Sequence, residues 1–338
     1  MHYLCTMMKF RSELEVKPAA VSIRYPQSVF LAGSCFTEHI GNKLDSYRLP
    51  VCQNPHGILF NPISICDMLM ACVENRSYTP ADLFSYGGVF NSWGHHSRFS
   101  AVSAAGALDA MNAAQASASS FLRGADWLVL TLGSAWVYEL RTASGGFAPG
   151  RVVANCHKVP ADWFVHRMLS VEEVLSALDQ VLHRVFLLRP SLRVIFTVSP
   201  VRHLREGMIE NNRSKAVLIQ AVHHLVGKFD RLDYFPAYEL VVDDLRDYRF
   251  YAEDLVHPNY QATGYVWDKF VGAYMDPEAR AVMLALDGVL AARRHKPFNP
   301  LSDEHRRFME RMAGEARALA GRYPFLELSE EIAYFTGA

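Results

Sequence analysis

The sequence is short of the features that mark several large classes of protein. No apolar run approaches the roughly 18 residues that a helix needs to cross a bilayer. Residues 1–10 lack the basic and apolar regions of a secretory signal. The charges nearly cancel, with 34 Lys and Arg against 35 Asp and Glu, so no overall attraction to nucleic acid or to an anionic membrane follows. We therefore expect a soluble, cytoplasmic protein with no nucleic-acid partner and no membrane span.

Cysteine is also scarce, and its spacing excludes two uses. None of the six cysteines forms a C-x-x-C pair, and Cys66 and Cys72 lie inside apolar runs. This pattern favours free, buried thiols in a reducing compartment over a disulfide framework. His95 and His96 have no acidic or cysteine partner at regular metal-ligand spacing, so backbone-bonded loop histidines are favoured over a metal site. We expect neither a metal nor an organic cofactor.

The sequence does have enough apolar material for a large core. It contains 338 residues, half of them hydrophobic, which excludes disordered and fibrous classes. Four short continuous apolar runs are typical of strands buried on both faces. They are 28–32 (SVFLA), 127–132 (WLVLTL), 192–198 (LRVIFTV) and 238–242 (YELVV).

Helical patterns alternate with these runs. A helix is predicted over 38–47 with Thr37 as its N-cap, and another after Ser170, which opens a capping-box pattern. A third helix over 212–229 has candidate core positions at i, i+3 and i+4 spacing, namely Ala216, Ile219, Val222, His223 and Val226.

This alternation predicts an α/β fold. We expect a three-layer α/β/α sandwich with a mainly parallel sheet over residues 20–275, and a helical C-terminal extension over 276–338 that packs on it. Residues 50–100 indicate long loops with a short helix near 63–72, and the alanine-rich stretch 101–120 favours helix. In such a fold, ligands meet the carboxyl ends of the strands.

Ser34 directly follows the first predicted strand, in the sequence Gly33-Ser34-Cys35. A serine there lies at a helix N-terminus, where backbone N–H groups favour developing negative charge, and Gly33 permits the tight turn. The simpler interpretation is that Ser34 only caps the helix, as serines commonly do. Cys35 is the competing nucleophile, but an apolar flank would raise its pKa, which favours a buried thiol.

Asp254 and His257 are three residues apart after the last predicted strand. At this spacing the carboxylate can bind the imidazole Nδ1–H and leave Nε2 free to take a proton. Pro258 fits the first position of the following helix. An ordinary surface Asp–His pair is the alternative. Together with Ser34, however, the pair completes the set of groups that a serine hydrolase uses.

Several motifs in order resemble the GSCFA domain family, a branch of the SGNH (GDSL-like) hydrolase superfamily. The resemblance runs from about residue 20 to the C-terminus. The motifs are LAGSCFT at 31–37, NPHGILFNP at 54–62, WGHHS at 93–97, TLGSAWVY at 131–138, NCHK at 155–158, TVSPVRH at 197–203, LRDYRFY at 245–251 and DLVHP at 254–258. The resemblance implies a flavodoxin-like sandwich in which Ser34 is the nucleophile, His257 the general base and acid, and Asp254 the orienting carboxylate.

The resemblance also implies an oxyanion hole with three donors. Ser34 N–H corresponds to the first and Gly57 is the candidate for the second. At the third block the superfamily carries Gly-x-Asn-Asp, whereas this chain has Gly133 followed by Ser134 and no asparagine. Ser134, or Asn61 or Asn155 from a loop, are the candidate substitutes. One missing donor costs roughly 10²–10³ in rate when nothing replaces it.

Further binding residues are expected in the loops and after the later strands. His157 could help to bind substrate, and Arg202 follows a strand at its carboxyl end, the edge that favours the binding crevice. The aromatic and histidine content of 50–100 and 140–165 fits a carbohydrate ester as well as a short acyl chain. The sequence leaves the substrate and the oligomeric state open.

The favoured hypothesis is a serine esterase that cleaves an O-acyl, for instance acetyl, ester of a small molecule or glycan. An O-acyltransferase with the same site is one alternative, because the residues do not distinguish water from a hydroxyl acceptor. A non-catalytic binding protein on the same scaffold is the other, because the third-block asparagine is missing.

Overall fold

A computed structural model describes residues 12–337, so Cys5 and residues 1–10 lie outside the described part. Five strands, β1, β2, β5, β8 and β9, form a parallel sheet in the order β2-β1-β5-β8-β9. Two antiparallel pairs, β3 with β4 and β6 with β7, lie outside this sheet. The strands are β1 (Val29–Gly33), β2 (Val51–Gln53), β3 (Phe84–Tyr86), β4 (Val89–Asn91), β5 (Trp127–Leu132), β6 (Trp136–Leu140), β7 (Phe164–Met168), β8 (Arg193–Val198) and β9 (Leu232–Tyr234).

Helices connect the strands and complete the chain. In the described residues they are α1 (Cys35–Ser46), α2 (Pro62–Glu74), α3 (Ala104–Gly124), α4 (Val171–Leu188), α5 (Met208–Lys228), α6 (Ala237–Glu239), α7 (Tyr260–Tyr274), α8 (Pro277–Arg294), α9 (Asp303–Arg322) and α10 (Ser329–Thr336).

The sheet is buried on both faces, as the continuous apolar runs predict. Phe30 and Leu130 pack into a core with α2, α3, α4 and α5. Val29 and Leu31, whose side chains point the opposite way, pack into a second core with α1, α7 and α8. The α/β/α sandwich with a mainly parallel sheet is therefore confirmed.

The outer strands of the sheet differ from the prediction. The run 238–242 is not a strand: Pro236 precedes helix α6, and a π-helical turn follows at Leu240–Leu245. Leu240 and Val241 are fully buried from that helical conformation. A five-residue apolar run does not distinguish a buried strand from a buried helical turn. The strands at the two edges, β2 and β9, are only three residues long and were not predicted.

Most predicted helices form, with two corrections at their ends. The capping box of Ser170 with Glu173 is present, the alanine-rich stretch is α3, and residues 276–338 contain the helices α8, α9 and α10. Helix α1, however, begins after Ser34 rather than Thr37, about one turn earlier than predicted. Pro258 precedes Asn259, the N-cap of α7, instead of occupying the first helical position.

The buried face of α5 also differs from the prediction. Of the five predicted core positions only Val222 is fully buried, and the others lie on the neighbouring stripe. The buried residues of α5 are Asn211, Ser214, Lys215, Leu218, Ala221, Val222 and Leu225. Two overlapping stripes in this helix have similar apolar content, and only the packing against the sheet selects one of them.

The last three helices pack on the sandwich through polar and aromatic contacts. The buried carboxylate of Glu331 on α10 accepts hydrogen bonds from Arg48, which follows α1, and from Arg293 of α8. Tyr47 donates to Asp287 Oδ1 at 2.6 Å. Within residues 12–337, no helix is both long enough and apolar enough to cross a membrane. All five cysteines in this range are free thiols, as predicted, but only Cys66 and Cys72 are buried.

Candidate active site

Ser34 lies at the carboxyl end of β1, which is paired between β2 and β5. Its backbone is extended, and its Oγ accepts a hydrogen bond from Phe36 N at 3.3 Å, so it is the N-cap of α1. The side chain has no exposed surface. Gly33 makes this turn possible because its φ is +145° and a Cβ would lie 2.2 Å from Thr131 O. The hydroxyl therefore lies where the helix N-terminus favours negative charge.

Asp254 and His257 form the pair that their spacing predicts. Asp254 Oδ2 lies 2.7 Å from His257 Nδ1, and Oδ1 accepts from the backbone N–H groups of Val256 (2.9 Å) and His257 (3.0 Å). These hydrogen bonds, those with His257 foremost, lower the pKa of Asp254 to about 2. Both side chains are about half exposed. The ionised carboxylate holds Nδ1, which leaves Nε2 as the free nitrogen.

Arg202 supports the turn that carries this pair. Its backbone N–H donates to Val256 O at 3.2 Å, and its guanidinium donates to Leu255 O at 3.4 Å. The guanidinium carbon lies 4.1 Å from the centroid of the Tyr251 ring. Leu255 has a φ of +58°, a conformation that such contacts must hold. In this structure Arg202 thus contacts the Asp254–His257 turn.

His257 and Ser34 lie at the same edge of the sheet. Ser34 follows β1, and the His257 turn is bonded to Arg202, which follows the parallel strand β8. Burial lowers the pKa of His39, on α1, and of His203, and His257 makes a smaller contribution in the same direction to both. Among residues 12–337, no hydrogen bond joins Ser34 Oγ to His257.

The candidate oxyanion donors already have partners. Phe60 O accepts from two of them, Gly133 N and Ser134 N. The Asn61 side chain caps α2 through its hydrogen bonds with Ser64. The backbone bonds are Ser34 N to Thr131 O (3.2 Å), Gly57 N to Asn54 O (2.7 Å), Gly133 N to Phe60 O (2.8 Å) and Ser134 N to Phe60 O (2.9 Å). An oxyanion would have to compete with these acceptors or use another donor.

Asn155 and His157 organise their own loop. Asn155 Oδ1 accepts from His157 N at 2.8 Å, and His157 Nε2 lies 2.8 Å from Ser92 O. The imidazole also contacts the rings of Phe84 and Trp93 edge-on. These contacts tie the loop before β7 to the β3–β4 region. In the described chain, no cluster of three or more potential metal-ligating side chains is found.

The structure adds Asn54, which the sequence analysis did not single out. Asn54 is buried, and its Oδ1 accepts from Gly33 N at 2.9 Å, directly beside Ser34. Its amide nitrogen makes only a long contact of 3.5 Å with Glu38. The signal was its position: Asn54 follows β2, the neighbour of β1, and opens the NPHG motif.

The structure also adds Lys215. It is fully buried below the ends of β5 and β8. It lies on the face of α5 that packs against the sheet, and the sequence analysis predicted a different face as buried.

Family models match two parts of this chain. The model described as GSCFA family matches residues 28–270, and the model described as GSCFA domain protein, C-terminal domain, matches residues 286–337. Among curated proteins, no sequence matches significantly.

The solved structures that show some similarity to this chain include two carbohydrate esterases. One is a carbohydrate esterase family 3 from Talaromyces cellulolyticus, with a TM-score of 0.36 and 8% identity, covering 76% of this chain and 98% of that chain. The other is a Clostridium thermocellum family 3 carbohydrate esterase, with a TM-score of 0.35, 8% identity and the same coverage.

Proposed function

The chain belongs to the GSCFA family, and we propose that it is a serine esterase that cleaves an O-acyl ester. The observation that carries the proposal is the Asp254–His257 pair, with its free Nε2, at the sheet edge where Ser34 begins a helix. Acyl transfer through serine requires a hydroxyl that gives its proton to an imidazole, and an ionised carboxylate that stabilises the imidazolium.

The first half of the reaction forms an acyl-enzyme. Ser34 Oγ attacks the ester carbonyl carbon while its proton passes to His257 Nε2. The bond between the carbonyl carbon and the alkoxy oxygen then breaks, and Nε2 returns the proton to the leaving alcohol. Asp254 stays ionised throughout, because its pKa is about 2, and stabilises the imidazolium.

The second half releases the acid. Water attacks the acyl carbon of Ser34, His257 Nε2 takes a proton from that water, and the same proton returns to Ser34 Oγ as the acyl bond breaks. The acyl product leaves as a carboxylic acid. Because Ser34 has no exposed surface in this state, the side chains that cover it must move before an ester can reach it.

We assign the missing oxyanion donor to Asn54. Its amide is next to the peptide of Gly33 and Ser34, and its Nδ2 has the weakest existing hydrogen bond of the polar groups at that position. A side-chain amide in this role contributes roughly 10²–10³ in rate. Asn54→Ala is therefore expected to lower kcat by about this factor. Unchanged kcat in a folded Asn54→Ala variant would exclude the assignment.

A fluorophosphonate probe tests the nucleophile. We expect covalent labelling of the wild-type protein at Ser34, none in Ser34→Ala, and strongly slowed labelling in His257→Gln. Ser103→Ala is the matched control, because Ser103 also caps a helix but lies away from the site. Hydrolysis of p-nitrophenyl acetate and of acetylated sugars should follow the same order. Product analysis with added hydroxyl acceptors shows whether acyl transfer competes with hydrolysis.

A non-catalytic binding protein is the second candidate, and one observation favours it. Ser34 is buried and already caps α1, and the candidate backbone donors are bonded within the protein. In that case a correctly folded protein neither labels nor hydrolyses any ester, and Ser34→Ala binds acyl esters as tightly as the wild type.

A further inference from the structure

Helix α5 presents a stripe of polar side chains to the sheet edge that carries the proposed site. Lys215 is 1% exposed, and its Nζ donates to Gly133 O at 2.6 Å and to Ser199 O at 2.7 Å. No carboxylate in residues 12–337 forms an ion pair with it. A buried ammonium without a counter-ion is costly, so its presence needs an explanation beyond packing.

The position of Nζ links two strand ends. Gly133 directly follows β5, and Ser199 directly follows the neighbouring strand β8. One turn of α5 adds two similar contacts: Ser214 Oγ accepts from Ala135 N at 2.7 Å, and Asn211 Oδ1 accepts from His203 N at 2.9 Å. Three side chains of one helix turn thus hold both loops that follow these strands.

The charge of Lys215 also reaches the residues around Ser34. Burial raises the pKa of Cys35, the residue next to Ser34, and Lys215 acts against that rise. Burial lowers the pKa of His203 to about 3, and Lys215 lowers it further than His257 does. The hydrogen bonds place this charge close to Ser34 along one strand end: Ser34 N donates to Thr131 O, and Lys215 Nζ donates to Gly133 O two residues further on.

We propose that Lys215 is a positioning residue of the esterase reaction, which holds the ends of β5 and β8 in place and whose charge favours the oxyanion formed at Ser34. The inference rests on the proposed function. The inference explains why a cation is buried next to Gly133, where the superfamily asparagine is absent. Lys215 does not donate a hydrogen bond to the oxyanion; its charge acts on the site through the loops that it holds.

The test compares three variants of the full chain. Lys215→Met removes the charge at similar volume, Lys215→Arg keeps it, and Lys228→Met removes an exposed lysine of the same helix that pairs with Asp179. We expect Lys215→Met to lower kcat by about 10- to 100-fold with KM changed less than about twofold. Lys215→Arg should recover most of that loss, and Lys228→Met should equal the wild type. Thermal unfolding establishes that each variant is folded.

The pH profile of kcat provides a second test. Burial lowers the pKa of Lys215 to about 7, and the titratable groups that face it are Cys35, His203 and Tyr238. The pKa of His203 is about 3, and burial raises those of Cys35 and Tyr238, so Lys215 alone among them loses charge between pH 7 and 8.5. We expect kcat to fall across this range in the wild type and to stay level in Lys215→Arg.

The outcomes separate this inference from the proposed function. A wild-type protein that labels at Ser34, with a folded Lys215→Met variant whose kcat is within twofold, overturns the role of Lys215 alone. So does a wild-type kcat that stays level or rises from pH 7 to 8.5. A wild-type protein that never labels overturns both.

Discussion

At the scale of single residues, the hydrogen bonds of Asp254 explain how an exposed pair can be ordered. One carboxylate oxygen binds two backbone N–H groups, which fixes the turn, and the other binds the imidazole of His257. The turn and the orientation of the imidazole therefore depend on the same side chain. The two roles can be tested separately. An amide oxygen can still accept from the backbone N–H groups of the turn, but it carries no charge to stabilise the imidazolium.

Asp254→Asn should keep the fold and lose activity. The amide oxygen can still accept from Val256 and His257 N–H, but the charge that stabilises the imidazolium is gone. We expect kcat for p-nitrophenyl acetate to fall by about 10²–10⁴ with an unchanged melting temperature. Asp247→Asn is the control, because Asp247 is also exposed and caps a short turn through Arg249 N. Equal activity of Asp254→Asn and the wild type would contradict the proposed triad.

The buried lysine makes stability depend on pH in a definite direction. Its folded pKa of about 7 lies below the ordinary value of 10.5, so the unfolded chain binds more protons above pH 7. The free energy of unfolding should therefore rise with pH between 7 and 8.5, by at most about 1.4 kcal/mol per pH unit. Urea denaturation of wild type and Lys215→Met at several pH values measures it, and identical slopes would show that Lys215 does not titrate there.

At the scale of elements, the strand-to-helix turn at Gly33 is the least replaceable connection. Its positive φ and the 2.2 Å approach to Thr131 O both exclude a side chain. Gly33→Ala should cost about 3 kcal/mol or more in the free energy of unfolding, measured by urea denaturation. Gly227→Ala on α5 is the control: nothing lies within 4 Å of its Cβ position, so it should be neutral or stabilising by up to about 1 kcal/mol. Similar losses in both variants would contradict this account.

Sequence patterns predicted elements well where a single physical cause dominates. The run 127–132 forms a strand whose six residues are all buried between the two helical layers, and Trp127, Val129 and Thr131 favour the extended backbone. The Ser170 capping box specifies its helix start through two local hydrogen bonds. By contrast, the local sequence of 238–242 is compatible with either a strand or a helical turn. That of α5 is compatible with either of two buried faces. Reading α5 with the stripe through Leu218 and Leu225 would have placed Lys215 in the core.

At the scale of the whole molecule, one buried carboxylate joins the C-terminal helices to the sandwich, beside their apolar contacts. Glu331 is 0% exposed, and Arg48 and Arg293 both donate to it from different elements. Glu330 contacts the same two arginines but is well exposed. The two neighbouring residues therefore provide a comparison of a buried and a surface ion pair within one contact.

Glu331→Ala should loosen the C-terminal helices, whereas Glu330→Ala should not. Removing the buried carboxylate leaves two arginines without their main partner, at a cost of about 3 kcal/mol. The surface pair contributes at most about 1 kcal/mol. We expect a separate low-temperature transition in calorimetry and faster tryptic cleavage near residues 295–300 for Glu331→Ala only. Equal behaviour of both variants would mean that apolar packing, not this carboxylate, holds the helices.

Buried histidines should make the whole molecule sensitive to acid. Burial lowers the pKa of His56 to about 4 and that of His203 to about 3, against an ordinary value of 6.5. Between the folded pKa of each histidine and 6.5, the unfolded chain binds more protons than the folded protein. The free energy of unfolding therefore decreases as pH falls below 6.5, by at most about 1.4 kcal/mol per pH unit for each residue. Denaturation from pH 7 to 5 measures this loss, and His56→Gln should reduce the slope.

The sequence by itself determined the parallel sandwich, the strand–Gly–Ser–helix turn and the Asp254–His257 pair, because each depends on neighbours within a few residues. Only the tertiary structure decided what surrounds Ser34: Asn54 beside it, Arg202 under the histidine turn, and the buried ammonium of Lys215 between two strand ends. Those contacts join segments 16 to 82 residues apart, and their partners are mostly backbone groups, which every residue carries. No pattern of side chains along the chain can specify such contacts.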